Sequence, residues 1–341
     1  MIVHGARHEE TPVSPPMQPV AQGQAVRSRR TSARLSETIN LNTRYGKPIP
    51  RIVPRDVSII IPVKNNQKGV DSFLEAFFAT HDRAQWPKEI LIVDNNSSVS
   101  VRVKDIYLQR GLPIRVLACT RNGPAAARNS GVQASLGEWL LFCDSDCSPT
   151  ASLLTGYLNS TKQAIAFAGH VKGTPTAYLS RYYDDEETLI PYRKPDATGA
   201  DFPLYVITAN ALVWRRAFEE CGGFDESFHG AGGEDVDLGR RLWQIGHIEY
   251  EPASVVLHDF SDGFVGLCRR FIRYGRGNRH LEHATGIRMR PHFRGPRKRT
   301  ALNMIAMLAQ YIFMSIGYHQ EKYQEKYQWK YLAGMDAGRG R

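Results

Sequence analysis

From residue 57 the hydrophobic pattern of the chain changes period repeatedly. Residues 57–63 (VSIIIPV) form a continuous β-branched run, the pattern of a strand buried on both faces of a parallel sheet. Val70, Phe73, Leu74, Phe77 and Phe78 then recur at helical spacing. Residues 90–93 predict a second strand, a helical stretch ends at Gly111, and 114–119 predict a third strand. Residues 124–136 predict a helix stopped by Gly137, and 139–142 a fourth strand. This alternation predicts an α/β fold, a doubly wound and mostly parallel sheet with helices on both faces. Ligands of such sheets bind beyond the carboxyl ends of the strands. The polar residues ending each run are therefore the first candidates: Lys64-Asn65-Asn66, Asp94-Asn95-Asn96, Arg121-Asn122 and Asp144-Ser145-Asp146.

The second half is less regular. Strands are expected at 164–171 and 205–213, a short helix at 215–221, and a longer one at 234–245 closed by Gly246. A strand at 248–257 ends at His258, and a basic helix spans 262–281. Residues 301–318 are the most apolar long stretch, interrupted by Asn303, Gln310 and Ser315, at the lower limit for a membrane span. A core or partner helix is one reading. Arg297-Lys298-Arg299 just before it also suit peripheral contact with a bilayer surface.

Composition adds a basic excess. Lys and Arg exceed Asp and Glu by a formal net charge of +10, which calls for an anionic partner unless the excess sits in mobile segments such as 27–34 and 288–299. The interleaved aromatics of single-strand binders are missing, so nucleic acid is not the expected partner. The odd count of five cysteines suits packed, reduced thiols better than a disulfide framework. Cys143 and Cys147 have no second Cys/His pair at zinc-site spacing. No apolar stretch follows Arg29-Arg30, so a twin-arginine signal is not expected. Residues 1–53 read as a disordered or extended arm, and the expected location is cytoplasmic, with membrane association through the tail as the alternative.

Among chemistry-bearing residues, Asp144 and Asp146 sit one residue apart at the end of a central strand. Two such carboxylates suit a hard ion, Mn2+ or Mg2+, bridging protein and diphosphate; a turn with an Asx cap is the plainer alternative. Asp94 could accept hydrogen bonds from a ribose or a base, or simply form a turn. Gly232-Gly233-Glu234-Asp235 opens a helix, where acids favour the dipole, yet a carboxylate there also suits a general base. His258 is either a structural histidine or a third ligand beside Asp146. Arg269, Arg270, Arg273, Arg276 and Arg279 spread round one helix, so only some can face a leaving group. The acidic run 184–187 reads as solvated surface.

The segments VSIIIPVKN, EILIVDNNS, RNGPAAARNSGVQASLGEWLLFCDSDC, TANALVWRRAFEECGGFDESF and GGEDVDLGRRLWQIG, followed by His258, resemble the family-2 glycosyltransferases of the GT-A fold over about residues 55–280. The resemblance implies a nucleotide-sugar donor, with UDP the expected carrier, an unidentified acceptor, and inversion at the anomeric carbon. It implies that Pro62, Val63, Asp94 and Arg128 hold the nucleoside and that Asp144, in the Asp144-Ser145-Asp146 turn, contacts ribose or the metal region. Asp146 and His258 would bind the metal, Asp235 would be the base with Glu234 orienting the acceptor, and Thr208-Ala209-Asn210 would line the acceptor side. Lys64 departs from the residue many members carry there, which leaves base selection open. The implied organisation is a nucleotide-binding half (54–150), an acceptor half (151–283) and a basic, apolar helical tail (284–341). A sugar-nucleotide pyrophosphorylase is the competing enzyme, but the loop VKNNQKG lacks the Gly-rich basic pattern that it requires. A non-catalytic anion-, nucleic-acid- or membrane-binding protein is the competing non-enzyme.

Overall fold

Three largely apolar runs become the centre of one sheet: β1 (Val57–Val63), β2 (Glu89–Asp94) and β4 (Trp139–Cys143) are buried almost throughout, with the one polar residue inside a run, Ser58, hydrogen-bonded to Glu89. The computed structural model describes residues 48–195 and 201–338. The first half also contains α1 (Gln67–Thr80), α2 (Asp105–Leu108), β3 (Ile114–Ala118) and α3 (Pro124–Ala134). Then follow β5 (Cys147–Pro149), α4 (Ser152–Leu158), β6 (Ala166–Gly173), α5 (Ser180–Asp185), β7 (Arg193–Pro195) and β8 (Asp201–Pro203). The remainder is β9 (Asn210–Trp214), α6 (Arg215–Glu220), α7 (Glu234–Leu242), β10 (Ile248–His258), α8 (Gly263–Thr285) and α9 (Ala301–Gly338).

Eight strands form a sheet in the order β3-β2-β1-β4-β9-β6-β10-β5. β1 to β4 run parallel, as the crossover pattern predicts, and β6 pairs parallel with β10. β9 is antiparallel to both neighbours, and β5 is antiparallel to β10. The sheet is therefore mixed in its second half. Because β9 reverses direction and β6 reverses again, the end of β10 at His258 reaches the same sheet edge as the ends of β1 and β4. α3 packs against β1 and β2. A side chain at Gly131 would collide with Ile60 there, which explains the small residues of this helix.

Several boundaries differ from the sequence pattern. The helix expected to end at Gly111 is a single turn, and the strand expected from 205 begins only at Asn210. Residues 205–209 make a turn facing the cavity described below. β5 and α5 carry too few apolar positions to announce themselves, and α4, though apolar, is only seven residues long. The expected N-terminal arm, and with it the basic cluster 27–34, falls up to residue 47 outside the described residues.

The acidic run 184–187 is not solvated surface. The Asp185 side chain is only 6% exposed and pairs with Lys298, Glu187 pairs with Arg297, and Glu186 accepts the Arg297 backbone N–H. These contacts hold the basic stretch before α9 against the domain. α9 itself crosses α8 at Gly275 and Gly317. A Cβ on Gly275 would strike the Met314 carbonyl, and one on Gly317 the Ile272 carbonyl. The small residues let the two backbones meet, and Ala306, Met307 and Met314 pack with Leu179, Tyr182 and Phe271.

Candidate active site

A cavity of about 830 Å3 opens beyond the carboxyl ends of β1 and β4, a size suited to a small organic ligand. Pro62 and Val63 line one side, and Asp144, Ser145 and Asp146 the floor. Glu234 and Asp235 stand at the start of α7, and Arg270, Arg273 and Tyr274 reach in from α8.

The short strand β5 determines the placement of Asp146. Leaving β4, the chain turns through Asp144-Ser145-Asp146 and pairs Cys147 with His258 of β10. The backbone N–H of Asp259 donates to the Asp146 carbonyl at 2.9 Å. Asp146 Oδ2 and His258 Nε2 thereby lie 3.5 Å apart, with the histidine buried and the carboxylate nearly half exposed. His258 Nδ1 lies 3.1 Å from the Asp259 carbonyl. A carbonyl can only accept, so Nδ1 is the donor, which leaves Nε2, on the Asp146 side, as the nitrogen available to an ion. Stacking on Phe260 fixes the ring. A carboxylate oxygen and an imidazole nitrogen, oriented by a second residue and open to a cavity, fit a divalent ion. Cys147 lies within 4.8 Å of both, but burial raises its pKa well above the ordinary thiol value, so it remains an uncharged thiol and a poor partner for a hard ion.

Arg128 joins the two halves of the site. α3 starts at Gly123-Pro124, where Gly123 has φ 103°, and carries the guanidinium to a position 3% exposed between Asp144 and Glu234. Its Nη2 donates to Asp144 Oδ1 at 2.7 Å and its Nη1 to Glu234 Oε1 at 2.9 Å. Glu234 Oε2 accepts the Gly232 backbone N–H at 2.7 Å. Each oxygen of Glu234 therefore has one protein donor, and the residue ties Arg128 to the Gly232 turn while lining the cavity.

Asp235 has a different environment. Gly232 (φ 146°) and Gly233 (φ 96°) adopt backbone conformations that side chains oppose, and Gly277 of α8 presses so closely on Gly232 that a Cβ would strike its carbonyl. This turn sets Asp235 half-buried at the cavity wall. Its Oδ1 accepts the Val236 N–H at 2.9 Å, and Oδ2 has no hydrogen-bond partner among the described residues. Burial and the nearby Glu234 charge raise its pKa to about 7, against the opposing pull of Arg128. A carboxylate that takes up a proton near neutrality is suited to proton transfer.

Three of the expected site residues, Asp94, Asn210 and Arg128, are held by protein partners. Asp94 is buried, and its oxygens accept the N–H groups of Ser97 and Val101 at 3.0 Å each. Burial raises its pKa, but these hydrogen bonds outweigh it and the net shift is downwards. The carboxylate shapes its own loop and does not line the cavity, where Asn95 is found instead. Asn210 is fully buried, its amide bonded to Tyr157 and to the His170 and Ser254 carbonyls, so only Thr208 and Ala209 of that triplet reach the cavity. Arg128, expected at the nucleoside, spends its guanidinium on protein carboxylates. Among the five arginines of α8, Arg270 binds Asp262 and Tyr183, Arg276 binds Gln320, and Arg279 binds Glu325. Arg273 is exposed to the cavity. Tyr205, His229 and Tyr274 also line it, and no local sequence pattern marks an aromatic or a lone histidine for a cavity.

Residues 58–222 match the family model described as glycosyl transferase family 2, and residues 204–258 the model described as the N-terminal domain of galactosyltransferase. Over 239 residues the chain is 31% identical to the pre-mycofactocin glycosyltransferase of Mycobacterium tuberculosis, a match covering 67% of this chain and 48% of that protein. The chain thus spans about half the length of this relative. It is 28% identical over 214 residues to the uncharacterized glycosyltransferase YwdF of Bacillus subtilis, covering 60% of this chain and 75% of that one. Among solved structures, the mannosyltransferase PcManGT of Pyrobaculum calidifontis, in complex with GDP-Man and Mn2+, gives a TM-score of 0.47 at 16% identity, over 87% of this chain and 85% of that chain.

Proposed function

The chain belongs, through residues 58–222, to glycosyl transferase family 2, and on that premise we propose that it transfers a sugar, with inversion, from a nucleoside diphosphate (UDP the expected carrier) to an acceptor hydroxyl or amine. The observation that carries this reading is one cavity holding the Asp146–His258 donor pair on its floor and the high-pKa Asp235 on its wall. Asp146 and His258 would hold Mn2+ or Mg2+, which supplies positive charge against the diphosphate. Asp235 takes the acceptor proton as the acceptor atom bonds to the anomeric carbon. The bond from that carbon to the diphosphate breaks, and its electron pair leaves with the diphosphate oxygen. Arg273, at the cavity with no ion-pair partner among the described residues, offsets the charge that develops there. Five free thiols suit a reducing compartment, which supports a cytoplasmic setting.

The test is thermal melting of the protein with UDP, GDP and dTDP, each with and without Mn2+. One nucleotide should raise Tm only with the ion, and Asp146→Ala should remove the shift while leaving the unliganded Tm within a few degrees, because that side chain is nearly half exposed. A nucleotide shift of equal size without metal and in Asp146→Ala would overturn the metal-bridged donor site. Arg273→Ala is expected to lower kcat/KM by about 10- to 100-fold, the scale of losing one charged hydrogen bond of ~1.5–3 kcal/mol; steady-state kinetics at saturating metal measure it.

A further inference from the structure

α9 is apolar on two sides. One side packs into the domain at Ala306, Met307 and Met314. On the other, Ile305, Leu308, Ile312, Ile316 and Tyr323 are 62%, 50%, 44%, 39% and 60% exposed. At about 100° per residue the first four fall within an arc of roughly 80°, a stripe about 17 Å long at ~1.5 Å per residue, and exposed His319 enters the same arc before Tyr323. An exposed apolar stripe of this length on a packed helix marks a contact surface.

The neighbouring chain indicates what covers it. Residues 288–299 (RMRPHFRGPRKR) contain six arginines and lysines and no acid. Arg297 and Lys298 are neutralised by Glu187 and Asp185, whereas Arg288 and Arg299 are exposed. The segment lies along α9, with the half-exposed Phe293 ring 5.8 Å from that of Tyr311. An apolar stripe beside aromatic rings and two arginines, Arg288 and Arg299, that have no acidic partner among the described residues matches the layering of an anionic bilayer surface, acyl chains beneath and phosphates above. Residues 301–325 are long and apolar enough to cross a membrane, but the Gly275–Gly317 crossing ties α9 to α8 along its inner side, which favours a helix lying in the surface.

We propose that the outer face of α9, with the basic segment 288–299 beside it, docks the protein peripherally on an anionic lipid bilayer. This places α8, whose opposite side lines the active-site cavity, one helix away from the lipid. The docking does not depend on the catalytic reading.

The experiment is co-sedimentation of the full chain with vesicles of phosphatidylcholine alone or mixed with phosphatidylglycerol. Wild type should pellet with the mixed vesicles, and weakly or not at all with the neutral ones. Leu308→Gln with Ile312→Gln should weaken this binding by about tenfold or more. Arg288→Gln with Arg299→Gln should weaken it by a similar factor and reduce its salt sensitivity. Because all four side chains are exposed, both variants should melt as wild type does, which separates lost docking from lost folding. Failure to pellet with either vesicle overturns the proposal, as does pelleting that the Leu308/Ile312 substitutions leave unchanged. A concentration-dependent dimer that those substitutions dissolve, without vesicle binding, assigns the stripe to a second copy of the chain and likewise overturns it.

Discussion

Asp235→Asn is expected to lower turnover by about 10²- to 10⁴-fold, the usual contribution of a positioned general base, while metal-dependent nucleotide binding stays close to wild type. The amide keeps the shape and can still accept the Val236 N–H, so what is lost is the capacity to take a proton. In the wild type, the raised pKa of about 7 means that turnover should fall with unit slope as pH drops below neutrality, since the protonated carboxyl cannot act as base. The same shift has a consequence for stability. Folding raises the Asp235 pKa from its ordinary 3.8, so the folded protein holds this proton more tightly than the unfolded chain. The stabilisation is full below the unfolded value and is lost as pH rises through about 7. Asp235→Asn should therefore melt at a higher temperature than wild type at pH 8, with the gap closing in acid. A variant that keeps wild-type turnover, or that melts lower than wild type at pH 8, would contradict this account of the residue.

Arg128→Met should destabilise the protein by about 3–5 kcal/mol, the scale of leaving a buried ion-pair partner uncompensated. Glu234, with a side chain only 4% exposed, would lose the guanidinium 2.9 Å away, and Asp144 its partner at 2.7 Å. Urea unfolding would read this as a lower midpoint at unchanged slope. A role confined to packing would stop there. Arg128 also holds the Asp235 pKa down, so in whatever activity survives, the acidic limb of the pH profile should move to higher pH. Arg128→Lys retains one charge without the two-pronged geometry, and it should restore part of the limb's position and less of the stability. If the limb of Arg128→Met coincides with that of wild type, Arg128 does not tune the base.

Both predictions concern residues that the sequence brings forward, but only one of the two has its chemistry in neighbouring positions of the chain. Asp235 could be identified because a glycine pair, two acids and an amphipathic helix are consecutive, and their chemistry is local. The role of Arg128 could not, because its partners are 16 and 106 residues away. Asp94 shows the reverse case. It occupies the strand end where ligands bind, but the loop after it folds back and saturates the carboxylate with its own N–H groups. Strand-end position is visible in the sequence, whereas loop conformation is not.

By itself the sequence determined the alternating core of the first half, because buried parallel strands need uninterrupted apolar runs and the helices between them need one apolar face. It also determined which end of the sheet would carry the polar residues. The tertiary structure alone decided which of those residues meet. The three-residue β5 carries too little pattern to be predicted, yet its pairing with β10 is what brings Asp146 to His258. The acidic run 184–187 looked like surface until the basic segment 297–298 folded onto it, since opposite charges far apart in the chain do not announce their pairing. The two glycines that seat α9 on α8 are unremarkable in sequence, because a close helix crossing depends on what the partner helix presents at that point. Local periodicity is a property of neighbours along the chain, and the site is a property of neighbours across it.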